Sequence, residues 1–515
     1  MFRLNYLQLK GHHILGTMEL LFDTSSNLNE GQLFTTIVIG QNGTGKSNIL
    51  KVISEIFRAF DVYKKDSSKK PDLRYQFRLK YTINGNMYEI ATNLLMVIDR
   101  GKSRPSYIYL KNTPLMEITN LSDQSKIDQY AISLEQLELP TKILASSLMI
   151  TDKFNAKSTK VYKYLGVRSE KSPSSTGTKT YVRKIIDNIV DGIKQKNFRS
   201  ELRKLFEFLD IDPCLKLSYV PRYRHIFYRE DISATDLKNA FLDDWKSFFP
   251  KRSAPIWGAE SFRRFINDEN NTMEQLVAFL QKASRKVFIE GNKRSLDYDI
   301  INDPDILEDY AMIDILRSLD IISYPEISIS RNGQCYDLIS SSSGETHLIS
   351  SFIGILSQIQ TNSLVLIDEP EISLHPNWQI QYIDQLKQIF HDYHSAHFVI
   401  ATHSHFLLSD LTPKNSNALA LDRQDGIIQC RQIDFDTYGW SPDDILYNVF
   451  NVTSSRNTFV ANDIAKILDE LSKGDKAVLN KLDISTYNKL QSLSESLKDN
   501  DPLKDVVKSI LKKIQ

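Results

Sequence analysis

The chain has only three cysteines in 515 residues, Cys214, Cys335 and Cys430. They are scattered and odd in number, so they build neither a zinc pattern nor a disulfide framework, which suits a reducing compartment. Charge of one sign is equally missing. Lys plus Arg is 64 and Asp plus Glu is 64. No global field pulls on nucleic acid, and any such contact must be a local patch. No stretch approaches the roughly 18 apolar residues that cross a bilayer. The opening Met1-Phe-Arg-Leu-Asn-Tyr6 alternates like a strand and lacks an apolar signal core. A cytoplasmic location without membrane contact is expected. Internal repeats and sustained heptads are absent as well, which argues against a long coiled-coil arm.

What is present is concentrated in a few short motifs. Gly40-Gln-Asn-Gly-Thr-Gly-Lys-Ser47 is a phosphate-binding loop. The apolar, β-branched run Phe34-Thr-Thr-Ile-Val-Ile39 before it reads as a buried strand. Ile49, Leu50, Ile53, Ile56 and Phe57 behind it recur at helical spacing. Phosphates would therefore sit at a helix N-terminus, where the dipole and free N–H groups favour anions. Asn42, Gly43, Thr44, Gly45, Lys46, Ser47 and Asn48 are the candidate nucleotide contacts. Lys46 would reach the β/γ-phosphates of ATP and the Ser47 hydroxyl would bind Mg²⁺.

A second cluster lies far downstream. Ser363-Leu-Val-Leu-Ile367 is a strand candidate that runs into Asp368 and Glu369. A carboxylate at the end of a buried parallel strand can reach Mg²⁺ beside a nucleotide, so Asp368 is the expected metal ligand with Ser47. Side chains alternate along a strand, so Glu369 should point elsewhere and serve as general base. Alone, an acidic pair after a strand is a common turn; the phosphate loop gives it meaning. His403 follows the strand candidate Phe398-Val-Ile-Ala401, and a neutral imidazole there can hydrogen-bond a γ-phosphate or the attacking water. A lone buried histidine satisfied by the backbone would look the same. His405 and His375 make weaker cases, His375 as a dimer contact.

The set Gly-x4-Gly-Lys-Ser, Ser-Gly-Glu, Asp-Glu-Pro-Glu-x2-Leu-His-Pro and Ala-Thr-His resembles the ABC-type ATPase head. It is most similar to the soluble branch with the structural-maintenance-of-chromosomes and overcoming-lysogenization-defect proteins. That resemblance implies an α/β fold: a P-loop ABC-type head of mixed sheet plus antiparallel lobe. It also implies head-to-tail dimers, or higher even oligomers, with ATP between the Walker motifs of one copy and the signature of the other. By position, Ser342, Ser343, Gly344 and Glu345 would meet the partner copy's ATP. The family's usual Leu-Ser-Gly-Gly is altered here, Ser341 and Ser343 standing for Leu and the first Gly. The Gln loop falls nearest the stretch 143–154.

Further segments resemble the PtuA ATPases of Septu and retron anti-phage defence. They are Leu139-Pro-Thr-Lys-Ile-Leu-Ala-Ser-Ser147, Asp152-Lys-Phe154, Tyr164-Leu-Gly-Val-Arg168, Tyr438-Gly-Trp-Ser-Pro-Asp-Asp-Ile445 and Asn451-Val-Thr-Ser-Ser-Arg-Asn457. The resemblance implies assembly with an HNH nuclease, and in retrons with a reverse transcriptase and its RNA–DNA product. Overcoming-lysogenization-defect proteins carry a nuclease domain of about 100 residues after the head. The stretch after Arg456 is shorter and reads as helices, so any nuclease is expected to be a separate polypeptide. A DNA-repair ATPase acting directly on DNA, and a non-hydrolysing ATP-gated module, are the alternatives.

The expected organisation is 1–168 for the first part of the head, 180–320 for an α-helical insertion, 325–456 for the second part, and 457–515 for a helical C-terminal segment. Residues 172–179, rich in Ser, Thr, Gly and Pro, should be a mobile loop. The insertion interleaves basic and aromatic residues, among them Arg222, Tyr223, Arg224, Tyr228, Lys282, Arg285 and Lys286. These could contact phosphates and stack bases, or form a solvated face balanced by Glu230, Asp243, Asp244 and Glu260.

Overall fold

A computed structural model of the chain describes residues 1–23, 31–99, 102–114, 124–169, 178–220, 230–236, 272–290, 293–303, 305–318, 322–323, 325–409, 411, 414–433, 445, 491–492, 494–495 and 502–514. The motifs at 438–445 and 451–457 lie outside these apart from Ile445. So do most of 172–179 and the basic positions 222–229. The chain divides into two compact units, Met1–Trp440 and Ser441–Gln515.

In the first unit the strands are β1 (Phe2–His12), β2 (Gly16–Leu21), β3 (Phe34–Gly40), β4 (Gln76–Ile83), β5 (Asn86–Asp99), β6 (Lys102–Lys111), β7 (Ile143–Ser147), β8 (Tyr162–Tyr164), β9 (Leu215–Tyr219), β10 (Val287–Glu290), β11 (Lys293–Asp299), β12 (Glu326–Arg331), β13 (Gln334–Asp337), β14 (Leu364–Asp368), β15 (His397–Thr402), β16 (Ser416–Gln424) and β17 (Ile427–Gln432). The helices are α1 (Lys46–Lys65), α2 (Gln124–Tyr130), α3 (Thr178–Ile193), α4 (Phe198–Phe208), α5 (Thr272–Lys286), α6 (Ile306–Ser318), α7 (Ser343–Gln358) and α8 (Pro376–Ile389). In the second unit α9 (Pro502–Ile514) is described, in keeping with the expected helical tail.

The central sheet has the order β17-β16-β3-β15-β14-β7-β8. Its strands run parallel except at β17, which is antiparallel to β16. β3, β14 and β15 are buried throughout, as continuous apolar runs covered on both faces should be. An antiparallel sheet, β2-β1-β4-β5-β6, forms the second lobe. Helix α1 joins the two: Ile49, Leu50, Ile53, Ile56, Phe57 and Phe60 share one apolar cluster with Phe2, Leu4, Phe77 and Tyr81 of the lobe and Val38, Leu366 and Val399 of the central sheet. Each of these α1 side chains is 0% exposed, worth roughly 1.5–3 kcal/mol apiece.

Two buried histidines help hold this junction. His397 accepts the Leu4 N–H at Nδ1 (2.9 Å) and meets Thr36 Oγ1 at Nε2 (2.9 Å), tying β1 to the central sheet. His12 closes the β1–β2 turn by accepting the Ile14 and Leu15 N–H groups at 3.2 and 3.1 Å.

The segment 180–320 corrects the expectation of a purely helical insertion. Helices α3, α4, α5 and α6 are there, but so are β9, β10 and β11, in an antiparallel sheet of order β10-β11-β9-β12-β13. Helix α5 ends at Lys286, and the β-branched, aromatic run Val287-Phe-Ile289 continues as strand. Two of the basic residues of this segment are paired internally: Lys282 with Asp309 at 3.0 Å, and Lys286 with Asp305. Helix α3 packs along α7. Gln358 Nε2 donates to Asp191 at 3.0 Å and Gln195 Nε2 to the Ser357 carbonyl at 3.2 Å. Among the described residues no helix is long and apolar enough to cross a membrane.

Candidate nucleotide site

Parallel pairing aligns the ends of four strands. Thr402 is level with Ile39, Asp368 with Ala401, and Asp368 with Ser147. The loops after β3, β14, β15 and β7 therefore open at one edge, where sheets of this type bind ligands.

The loop after β3 folds on itself. Thr44 Oγ1 donates to the Gln41 carbonyl at 2.8 Å. Gly45 has φ +91°, and a Cβ there would lie 2.5 Å from Leu15 Cδ2, so conformation and space both demand glycine. Asn42 and Gly43 are exposed at the tip, and Asn48 is half-buried on α1. Lys46 begins α1 and is 4% exposed. Its Nζ donates to the Gly40 and Gln41 carbonyls at 2.8 and 3.1 Å and stands 3.8 Å from Glu369 Oε1. Burial pulls its pKa down, against the attraction of Glu369, Glu371 and Asp368. Ser47 Oγ donates to Asp368 Oδ1 at 2.8 Å. Burial pushes the Asp368 carboxyl up to about 7, with Glu369 and Asp152 adding to the rise and Ser47 and Lys46 opposing it.

Asp368 and Glu369 do face different partners, but not because of strand alternation. The chain leaves the strand at Glu369, whose φ is +52°. That left-handed conformation is costly for a residue with a Cβ and typical of functional sites. The Glu369 N–H holds to the Ala401 carbonyl at 2.8 Å, and its carboxylate contacts His403 Nδ1. His403 Nδ1 is also 3.0 Å from Glu371 Oε1. Both neighbours of Nδ1 are carboxylate oxygens, acceptors only, so Nδ1 carries the hydrogen. Nε2 is then the ring nitrogen turned to a water or a γ-phosphate oxygen.

Glu371 had no role in the sequence reading. It is 5% exposed, and Oε1 takes hydrogen bonds from Thr402 Oγ1, the His403 N–H and the Ser404 N–H at 2.5, 2.8 and 3.1 Å. Burial raises its pKa, with Glu369 adding to the rise. Nothing in Asp-Glu-Pro-Glu distinguishes this carboxylate from an acidic turn; only the pairing of β14 with β15 brings it under the 402–404 loop.

Residues 342–345 form the start of α7. Ser342 is the N-cap, accepting the Glu345 N–H at 3.2 Å, while Glu345 Oε2 accepts the Ser342 N–H at 3.2 Å, a reciprocal capping box. Glu345 Oε1 also takes a hydrogen bond from Arg331 at 2.6 Å. Ser342 and Ser343 are exposed; Gly344 and Glu345 are buried. A Cβ on Gly344 would lie 2.7 Å from the Ser373 carbonyl, which explains glycine at that position. The bonds of Ser342 and Glu345 thus run to each other and to Arg331, apart from the Lys46–Asp368–Glu369–His403 group.

Two of the weaker motifs meet. Asp152 accepts the Tyr164 hydroxyl at 2.6 Å and pairs with Arg168 at 2.6 Å. His375 caps α8, its Nδ1 accepting the Asn377 N–H at 3.3 Å, and is exposed. His405 starts a short 3₁₀ turn, His405–Leu408.

A strand–loop–helix phosphate cradle beside an acid-ended strand defines a P-loop ATPase head. The chain belongs to the AAA ATPase domain family, whose profile matches residues 19–408. It is similar to the Septu protein PtuA of Bacillus thuringiensis, 26% identical over 148 residues, 28% of this chain and 35% of that protein. The match therefore spans about a third of that relative's length. Solved structures that align include the SMC head domain from Thermotoga maritima (14% identity, 84% of this chain and 100% of that one, TM-score 0.35). The Smc head domain of Pyrococcus furiosus bound to the C-terminal domain of ScpA also aligns (14% identity, 84% and 96%, TM-score 0.33). Superpositions this loose carry no argument; the family match and the sheet order carry the fold.

Proposed function

We propose that this chain binds and hydrolyses ATP with Mg²⁺, closes as a dimer around the nucleotide, and through that cycle governs a separate HNH nuclease in a cytoplasmic anti-phage defence complex. The observation that carries the ATPase reading is the meeting of Ser47 with Asp368 and of Glu369 with His403 at one strand edge. The donor set fits a hard cation: a hydroxyl and a buried carboxylate, both oxygen ligands, with the carboxyl raised by its burial. Ser47 and Asp368 would hold the Mg²⁺, which when bound screens phosphate charge and orients the phosphoryl group. Lys46 gives up the Gly40 and Gln41 carbonyls to serve phosphate oxygens. Glu369 takes a proton from water that His403 orients through Nε2. The dimer rests on the resemblance to ABC-type heads and on the exposed Ser342 and Ser343 at a helix N-terminus, and the nuclease on the resemblance to PtuA; a reverse transcriptase with its RNA–DNA product is the further partner expected in a retron setting.

Phosphate release by the purified chain tests the first part. Lys46→Ala should weaken binding of a fluorescent ATP analogue roughly 10- to 100-fold, the worth of a charged hydrogen-bonding group. Glu369→Gln should keep binding and slow turnover roughly 10²- to 10⁴-fold. Equal turnover in wild type and Glu369→Gln would refute hydrolysis at this site. Affinity purification from the native operon should bring down a nuclease; a chain recovered alone would count against the complex.

A further inference from the structure

We propose that Glu371 is a positioning residue of the ATPase reaction: it sets the height of the 402–404 loop and, together with Glu369, the placement of the His403 ring. This inference rests on the ATPase reading above. Glu371 lies three residues past Asp368, on the turn after β14. Its Oε1 gathers the Thr402 hydroxyl and two consecutive main-chain N–H groups, His403 and Ser404. Successive N–H groups pointing inward form a concavity that binds anions. Here the anion is a side chain of the neighbouring loop. The same oxygen is 3.0 Å from His403 Nδ1. One carboxylate thus fixes the backbone of the 402–404 loop and shares the ring hydrogen of His403 with Glu369. The loop is pinned on its other side too: Ser404 N–H donates to Thr402 Oγ1 at 2.9 Å, and Ser404 Oγ to Gln379 Oε1 of α8 at 2.6 Å. Glu371 makes no hydrogen bond to Lys46 or Ser47, although its charge attracts Lys46, so its effect should fall chiefly on the reacting water's environment rather than on nucleotide capture.

The test compares Glu371→Ala, Glu371→Gln and Glu371→Asp in the full-length chain, alone and with His403→Ala. Glu371→Ala should lower kcat on the order of 10- to 100-fold, the cost of a misplaced group, with KM changed less than about twofold. The double variant should lose no more than the worse single one. Glu371→Gln, whose amide oxygen can accept the same N–H groups, should recover much of the loss. Glu371→Asp, one methylene short, should not, and it stands in if the alanine variant does not fold. Imidazole ¹⁵N NMR, with the His403 signal assigned by its loss in His403→Gln, gives a readout independent of turnover. His403 should keep the Nδ1–H form in Glu371→Ala, where Glu369 still accepts it, but with a displaced Nδ1 signal as the ring moves with its loop. Multiplying losses in the double variant, a raised KM at unchanged kcat, or an unaltered His403 Nδ1 signal would each overturn the assignment. A wild-type chain without turnover would sink the ATPase reading, and the NMR result would still decide what Glu371 does to His403.

Discussion

Ser47 and Asp368 stand 321 positions apart in the chain and 2.8 Å apart in space. The hydroxyl opens α1 and the carboxylate ends β14, so this one hydrogen bond joins the two halves of the ATPase head. In an ion-bound protein both oxygens would turn to the cation instead of to each other.

Removing either partner should therefore show first as a metal defect. Ser47→Ala and Asp368→Asn should each raise the Mg²⁺ concentration for half-maximal ATPase by roughly tenfold or more. A magnesium titration at saturating ATP is the measurement. An unchanged midpoint would remove both residues from the metal site.

If Ser342 and Ser343 serve the partner's nucleotide, two dead chains should make one live site. Lys46→Ala and Ser343→Arg should each be inactive alone. An equimolar mixture should regain about a quarter of wild-type turnover, since half the closed dimers are mixed and each has one intact site. No recovery on mixing would place the 342–345 run in some other task.

Acid should loosen the lobe next to the phosphate loop. Burial holds the His12 imidazole down to about 4, with His13 and Lys51 adding to the fall, and burial holds His397 well below its ordinary range. In the unfolded chain both take up a proton near 6.5. The unfolded state then binds more protons than the native one between about 6.5 and 4, and stability drops as pH falls through that window. The raised Asp368 and Glu371 carboxyls pull the other way, since the folded chain binds their protons first, so the histidine part is read by comparison. His12→Asn, which can accept the same Ile14 and Leu15 N–H groups, should lose less thermal midpoint, or gain more, than wild type between pH 7.5 and pH 5.

Arg331→Ala should fray the first turn of α7. The Arg331 side chain is 35% exposed and Glu345 8%, so the pair stabilises by about 1 kcal/mol at most. Hydrogen exchange at 343–347 should speed up while β14 and β15 stay protected. Uniformly faster exchange would mean that Arg331 supports the whole head.

The strands and helices around the site were legible because their patterns are strong. The runs before Gly40, Asp368 and Thr402 are apolar and β-branched, and each is a buried parallel strand. Two things were not legible. Val287-Phe-Ile289 follows a helical spacing without a break in hydrophobicity, so only its partner Ser295–Leu296 on β11 decides that it is a strand. Glu371 depends on which loop lies over it, and that follows from the β14–β15 register, not from local sequence. That Asp368 and Glu369 point to different partners was expected for an incomplete reason, since the left-handed Glu369 backbone does what strand alternation was expected to do.

Arg331 ends a strand of the second antiparallel sheet, and its guanidinium grips the first turn of α7, while α3 lies along that same helix. The inserted segment is thus sewn into the head at two seams rather than hung from it. For a genetic engineer this sets the cut points. A graft from a related chain that stops short of position 331, or leaves the Gln195, Asp191 and Gln358 contacts unmatched, would import a mismatched hinge along with the new segment.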